Sequence, residues 1–322
     1  MLNPLHLRTL IEVVRTGSFA EAARRLGYTP SAVSQQVSGL ERAVRLTLFE
    51  REAHSVRATA AAELLAERSQ EVLASFDALD HEIEAISAGS LGQLRIGSFP
   101  TASARLLPLG LAAFVQRYPS VDVHLDEGEP DELLPVLQDG ELDVALVYRY
   151  DLVPRTWPHR LVETELLHED LLLLLPAGHP LAQRSEVGLA EVRDATWIAS
   201  REGSAGSTCL ERACAMAGFA PRIAFRSNNY DVVEGLVGTG LGIALVPALG
   251  HDSTSPGVVA ATVADARLQR HVSALHRVAS VATPVQGVLT AFREAAGLMG
   301  AGAVPPGHPS PEPPGGSTGL TR

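Results

Sequence analysis

The sequence predicts a multidomain fold: an N-terminal all-α winged helix-turn-helix, a long linker helix, and then two α/β, Rossmann-like lobes. Three observations carry this. Residues 18–51 hold two short helix signals parted by a glycine. Residues 59–87 repeat apolar side chains at three, four and seven positions. From Leu94 onward, strand and helix patterns alternate, the signature of a mainly parallel sheet covered on both faces.

The first helix is expected over Leu5 to Thr16, where Leu7, Leu10, Ile11 and Val14 form one face. Ser18 and Glu21 then make a capping box that opens a second helix, and Gly27 supplies the left-handed backbone that closes it. Thr29 caps a third helix with Pro30 at its first position. Its stripe of Val33, Val37 and Leu40 packs on Ala22, Ala23 and Leu26. The opposite face carries Ser31, Ser34, Gln35 and Ser38: hydroxyls that reach phosphates and an amide that can pair with adenine in a major groove. The plain alternative is a helical hairpin with a polar surface. Leu46 to Arg51 and Glu52 to Arg57 read as strand, turn and strand, a wing that places Arg51, His54 and Arg57 beside a phosphate backbone.

With these residues the sequence resembles the LysR-type transcriptional regulators. The match runs through Leu7 to Val14, Gly17 to Ala23 with Leu26, Ala32 to Val37, Leu40-Glu41 and Leu48 to Arg51. Pro30 stands where the family commonly has a DNA-reading glutamine, Arg45 where it has a helix-ending glycine, and Ala58 and Ala62 where it has leucine and glycine. The resemblance implies a homodimer or homotetramer on double-stranded DNA, binding an interrupted inverted repeat. It implies a reading surface of Thr29, Pro30, Ser31, Ser34, Gln35, Gln36 and Ser38, with Arg51, His54 and Arg57 on the flank.

Thr59 can cap a helix to about Ser87 whose Leu65, Val72, Phe76, Leu79, Ile83 and Ile86 form a heptad seam, read as a two-chain coil in preference to an intradomain face. Ala88 to Gly92 reads as a hinge. Strands are expected at Leu94–Gly97, Val121–Asp126, Asp143–Tyr148, Asp170–Leu175, Trp197–Ala199, Ile223–Ser227, Gly242–Val246 and His271–Leu275. Helices fall between them, with a last one over Pro284 to Leu298. The boundaries expected are 1–58 for the DNA-binding domain, 59–92 for the linker helix and hinge, and 93–300 for the effector-binding domain. Within the last, lobe I takes 93–160 with 268–300 and lobe II takes 161–267. Residues 301–322, rich in proline and glycine, read as a disordered tail. This half resembles the effector-binding region of the same family, which is similar to type 2 periplasmic binding proteins. The resemblance rests on Leu94 to Gly97, Tyr118-Pro119, Leu142 to Leu146, His179 to Ala182 and Gly240 to Pro247.

Ligands of such lobes sit at the carboxyl ends of strands, where helix starts offer free N–H groups. That rule selects Ser98, Thr101 and Ser103, Tyr148 and Arg149, Arg201 and Ser204, and Asn228 as effector-binding residues, although each hydroxyl could simply cap its helix. Arg149 and Arg201 point to an anionic small-molecule effector.

The net charge of −11 is unevenly spread: residues 1–60 carry 8 arginines against 5 acids, so the basic excess lies in the reader. All 26 basic residues are arginine, which excludes Schiff-base and phosphate-loop lysines. Cys209 and Cys214 lie five apart in a helical stretch, wrong for a disulfide framework. The 11 histidines do not cluster at ligand spacing, so no metal site, cofactor or catalytic set is expected. Nine acids between Asp122 and Asp143 read as a solvated face. Gly238 to Gly242 reads as a tight helix-to-strand turn, and the fragment His81-Glu82 lacks a second histidine at position 85. Without a leader or a spanning apolar run, a cytoplasmic protein is expected. The competing class is a small-molecule-binding or catalytic α/β protein with an N-terminal assembly module.

Overall fold

A computed structural model describes residues 2–51, 56–88, 92–278 and 283–302. His54 with the rest of the expected wing turn (52–55), residues 89–91 of the expected hinge and residues 303–322 of the expected tail lie outside the described residues.

The reader begins with α1 (Pro4–Thr16), capped by Asn3 and closed by Gly17 in the left-handed region. Then come α2 (Phe19–Leu26) and α3 (Pro30–Val44). The Ser18 side chain accepts the Glu21 N–H, but the Glu21 carboxylate turns instead to Arg24 and Arg25, which hold it down to about 2, so one arm of the expected capping box is replaced by ion pairs. Thr29 caps α3 by accepting from the Ala32 N–H. Leu7, Leu10 and Val13 pack with Ala22, Ala23, Val33, Val37 and Leu40 in one core. Arg45 closes α3 with φ 57, the left-handed conformation glycine adopts without strain.

The wing is shorter than expected: β1 (Phe49–Arg51) pairs antiparallel with β2 (Val56–Ala58). The stretch before it is not strand because the Leu48 and Phe49 N–H groups donate to the Glu41 carboxylate at the end of α3. α4 (Ala60–Ala88) follows, capped by Thr59.

The α/β body comprises β3 (Gln93–Ser98), α5 (Pro100–Arg117), β4 (Asp122–Glu127), α6 (Pro130–Gln138), β5 (Val144–Tyr150), β6 (Leu161–Pro176), β7 (Glu186–Val187) and β8 (Thr196–Ala199). It continues with α7 (Ala205–Met216), β9 (Arg222–Arg226), α8 (Tyr230–Gly238), β10 (Ile243–Pro247), β11 (Val258–Val263), β12 (Gln269–Arg277) and α9 (Thr283–Gly302). Leu189–Val192, expected as a helix, is a single 3-10 turn. The Gly238 to Gly242 stretch is indeed a turn: Gly240 has φ +80, and a side chain at Gly242 would meet the Thr196 carbonyl oxygen at 2.7 Å.

The strand order is β4-β3-β5-β12-β6-β10-β8-β9, with β11 also beside β6 and β7 beside β11. The sheet is mixed where a mainly parallel one was expected. β3 runs parallel to β4 and β5, and β8 to β9 and β10, but β6 and β12 run antiparallel to their neighbours. The reason is β6, a 16-residue strand of which only the last part was expected. Its first part pairs with β12, and from Leu171 it pairs with β10 and β11. The chain thus passes between lobes inside one strand, and it returns at Leu268, whose carbonyl accepts the Leu171 N–H at 2.9 Å. Lobe I buries Leu94, Ile96, Phe114, Leu146 and Phe292; lobe II buries Leu173, Leu175, Trp197, Leu210 and Ile243.

Candidate functional site

On α3 the residues expected to face a partner form one strip. Thr29, Pro30, Ser31 and Gln35 are exposed, and Ser34 and Ser38 half-buried. The Thr29 and Ser31 hydroxyls lie 3.0 Å apart. Gln36 is different: its Oε1 accepts from the Thr9 hydroxyl at 2.6 Å, tying α3 to α1. Arg57 is exposed on β2, whereas Arg51 is placed by its backbone pairing with Val56.

The body holds a cleft between the lobes, about 390 Å³ including space open to solvent, at the carboxyl ends of β3 and β8 and against β5 and β12. Of the residues expected there, Thr101, Tyr148, Ser204 and Asn228 line it. Ser98 and Ser103 do not: Ser98 is buried with its hydroxyl turned to the Phe99 carbonyl, and the Ser103 hydroxyl is buried without a partner among the described residues. Arg149 follows Tyr148 on a strand, so it points to the opposite face, 3.9 Å from Glu163. Arg201 contributes only its backbone N–H, donated to Asn228 Oδ1 at 2.9 Å.

The charge at the cleft comes from Arg270, which sequence reasoning missed. It is 2% exposed, pairs in the sheet with Tyr150 and Glu169, and donates through Nε to Glu169 (2.7 Å) and through Nη2 to Thr101 Oγ1 (2.7 Å). Phe99 and Tyr148 stack on the guanidinium, 5.1 and 5.0 Å from their ring centres. Burial works against that charge, but Glu169 and the surrounding phenols more than offset it, so Arg270 stays protonated. The second Glu169 oxygen accepts the Leu249 N–H. Tyr148 donates to Glu129 at 2.6 Å. Burial pushes the Tyr148, Tyr150 and Tyr230 phenols up, keeping all three as hydroxyl donors. At the start of α7 the Ser204 side chain accepts the Ser207 N–H, and Gly206 lets the helix approach Ser200 and Tyr150 closely. The arrangement can hold a small polar molecule between aromatic rings, with fixed donors on several sides. No sequence signal marks Arg270 or Glu169, which are 101 residues apart.

A three-helix winged reader carried on a long helix, followed by two α/β lobes closing on a polar cleft, defines a ligand-responsive DNA-binding protein. Two family models match the chain: "Bacterial regulatory helix-turn-helix protein, lysR family" over residues 5–63 and "LysR substrate binding domain" over residues 87–297. The chain belongs to the LysR family of transcriptional regulators. It is 30% identical over 251 residues to the transcriptional dual regulator GltC of Bacillus subtilis, covering 78% of this chain and 82% of GltC. It is 32% identical over 294 residues to a probable hydrogen peroxide-inducible genes activator of Streptomyces viridosporus, covering 90% and 93%. The crystal structure of HinK, a LysR family regulator of Pseudomonas aeruginosa, superposes with a TM-score of 0.57 at 26% identity, covering 91% and 98%. These relatives are transcriptional regulators, and no helix among the described residues is long and apolar enough to cross a membrane.

Proposed function

We propose that two copies of this chain pair along α4 and present their α3 helices to the halves of an interrupted inverted repeat, and that a small metabolite in the cleft of residues 93–300 alters this binding. The protein acts in the cytoplasm as a regulator without catalysis. The observation that carries the reading is the two-faced character of α4. Its inner side gives Ala62, Ala66 and Leu73 to the reader core, while Val72, Phe76, Leu79 and Ile83 on its outer side are 47–52% exposed. An apolar stripe of this width needs an equally narrow partner, and a second α4 supplies one.

Ser31, Ser34 and Gln35 read base edges, and Arg51 and Arg57 hold phosphates. Thr101, Tyr148, Ser204 and Asn228, with Arg270 behind them, contact the effector. With Arg149 and Arg201 outside the cavity and Arg270 paired with Glu169, net positive charge plays a smaller part than the sequence suggested. Acceptor groups on the ligand meet the α7 start and the Tyr150 and Tyr230 phenols, the Tyr148 proton being held by Glu129. The reading is tested by screening metabolites for thermal stabilisation of the full-length protein, then footprinting with the hit. A ligand bound to the native state raises the melting temperature and changes the extent or bending of the footprint. A hit that leaves the footprint unchanged overturns the coupling.

A further inference from the structure

We infer that the lobe crossing carries a divalent transition-metal site built from Glu165, His168 and His271, with Asp151 behind it. The three ligand residues offer one atom each within 4.8 Å of one another. His168 Nδ1 lies 3.0 Å and His271 Nδ1 3.4 Å from the same Glu165 oxygen. Donors bound tetrahedrally to zinc at about 2.0–2.1 Å stand roughly 3.3 Å apart, so two edges of the polyhedron are already in place. The remaining edge, between the two histidines, spans at most 4.8 Å and closes through a shift of His168, whose side chain is exposed.

The backbone sets this up. His168 stands directly opposite His271 in the β6–β12 ladder, and Glu165 opposite Ser273, two residues further on. In a regular strand, residues three apart face opposite sides. A bulge between Val272 and Ser273 puts an extra residue into β6, so Glu165 and His168 emerge on the same face as His271. That face is the one opposite the cleft, since Arg270 and Tyr148 point the other way.

The carboxylate behind His271 supplies the second observation. His271 Nε2 lies 2.6 Å from the Asp151 carboxylate, which can only accept, so that nitrogen carries the proton. Its other ring nitrogen, Nδ1, is then turned towards Glu165 and His168. A histidine whose outer N–H is held by a carboxylate while its inner nitrogen faces other donors is the arrangement found around bound zinc. Imidazole donors favour zinc, copper or nickel over magnesium or calcium. The site also joins the end of β5 to β6 and β12 within a few residues of both lobe crossings, so an ion there would brace the hinge of the body.

The experiment uses full-length protein, tag removed and stripped with EDTA, titrated with zinc sulfate against a chromogenic chelator. The expected result is one zinc per chain for the wild type, its loss in His168→Ala and Glu165→Gln, and a 10- to 100-fold weaker site in Asp151→Asn. Exposed His124→Ala should bind as the wild type does. Cobalt substitution should give intense visible bands of a low-coordinate site that vanish in the same variants. His168 and Glu165 are exposed, so circular dichroism should show both variants folded. Wild type that takes up no zinc against the chelator, or the same uptake by the His168→Ala/Glu165→Gln double variant, overturns the inference.

Discussion

Arg270 shows what a single residue decides in this molecule. Its guanidinium is buried with Glu169 and fixes Thr101 as a partner, so the cleft's response depends on residues linked to it rather than on the most exposed arginines. Thr101→Val removes an acceptor from a buried cation, and Tyr148→Phe removes the donor to Glu129. Each should weaken effector binding about tenfold or more by calorimetry, given about 1–3 kcal/mol for a buried polar group left unmatched. Arg149→Ala and Arg201→Ala should stay within about twofold of wild type. The reverse ordering would move the site away from the cavity. The cysteines give a pH-dependent test. Burial pushes the Cys209 and Cys214 thiols to about 12, above their usual 9.0. Above pH 9 the unfolded chain ionises these thiols while the folded chain does not, so their effect is a stability loss that grows as pH rises from 9 towards 12. Iodoacetamide at pH 9 should leave both unmodified in the native protein and label both in denaturant, as read by mass spectrometry.

At the scale of elements, α4 and β6 each do two jobs because each is longer than one core requires. α4 is fixed at its start by packing on α1, while Val72, Phe76 and Leu79 on its outer side stay about half exposed. Val72→Glu and Phe76→Glu should therefore abolish the dimer in sedimentation while the melting of the α/β body is retained, since both positions are about half exposed in the single chain. A glutamate there would face its symmetry mate or apolar groups at a cost of several kcal/mol per dimer. An intact dimer in both variants would mean that α4 pairs with something other than itself. β6 links the lobes by belonging to both halves of the sheet, which makes the crossing stiffer than a loop would be.

In the whole molecule, charge is segregated along the chain, with 8 of its arginines in the first 60 residues and a long acidic run from Asp122 to Asp143. The positive excess therefore lies in the reader, and the acidic run lies in lobe I. Each dimer offers two copies of Arg57, so Arg57→Ala should weaken binding to every sequence and lower the slope of log affinity against log salt by about two. Gln35→Ala should instead relax selectivity, with the slope unchanged. Equal losses on specific and random DNA for both variants would place the reading contacts elsewhere than α3.

The sequence alone determined the reader, its caps at Ser18 and Thr29, the approximate boundaries of α4 and the order of the main strands and helices, but not β7 or β11. These rest on interactions between residues a few positions apart, which leave their mark in local spacing. It also selected Thr101, Tyr148, Ser204 and Asn228, because helix starts after strands are local features. Only the tertiary structure decided that Tyr148 faces the cleft while Arg149 faces away, that Gln36 is occupied by Thr9, and that β6 runs through both lobes. It alone brought Arg270 to Glu169 and Thr101, separated by 101 and 169 residues, and His168 beside His271 through a bulged register. Strand pairing sets such meetings through a backbone ladder that is nearly indifferent to which side chains it aligns, so the one-residue shifts that choose a face leave no trace in spacing along the chain.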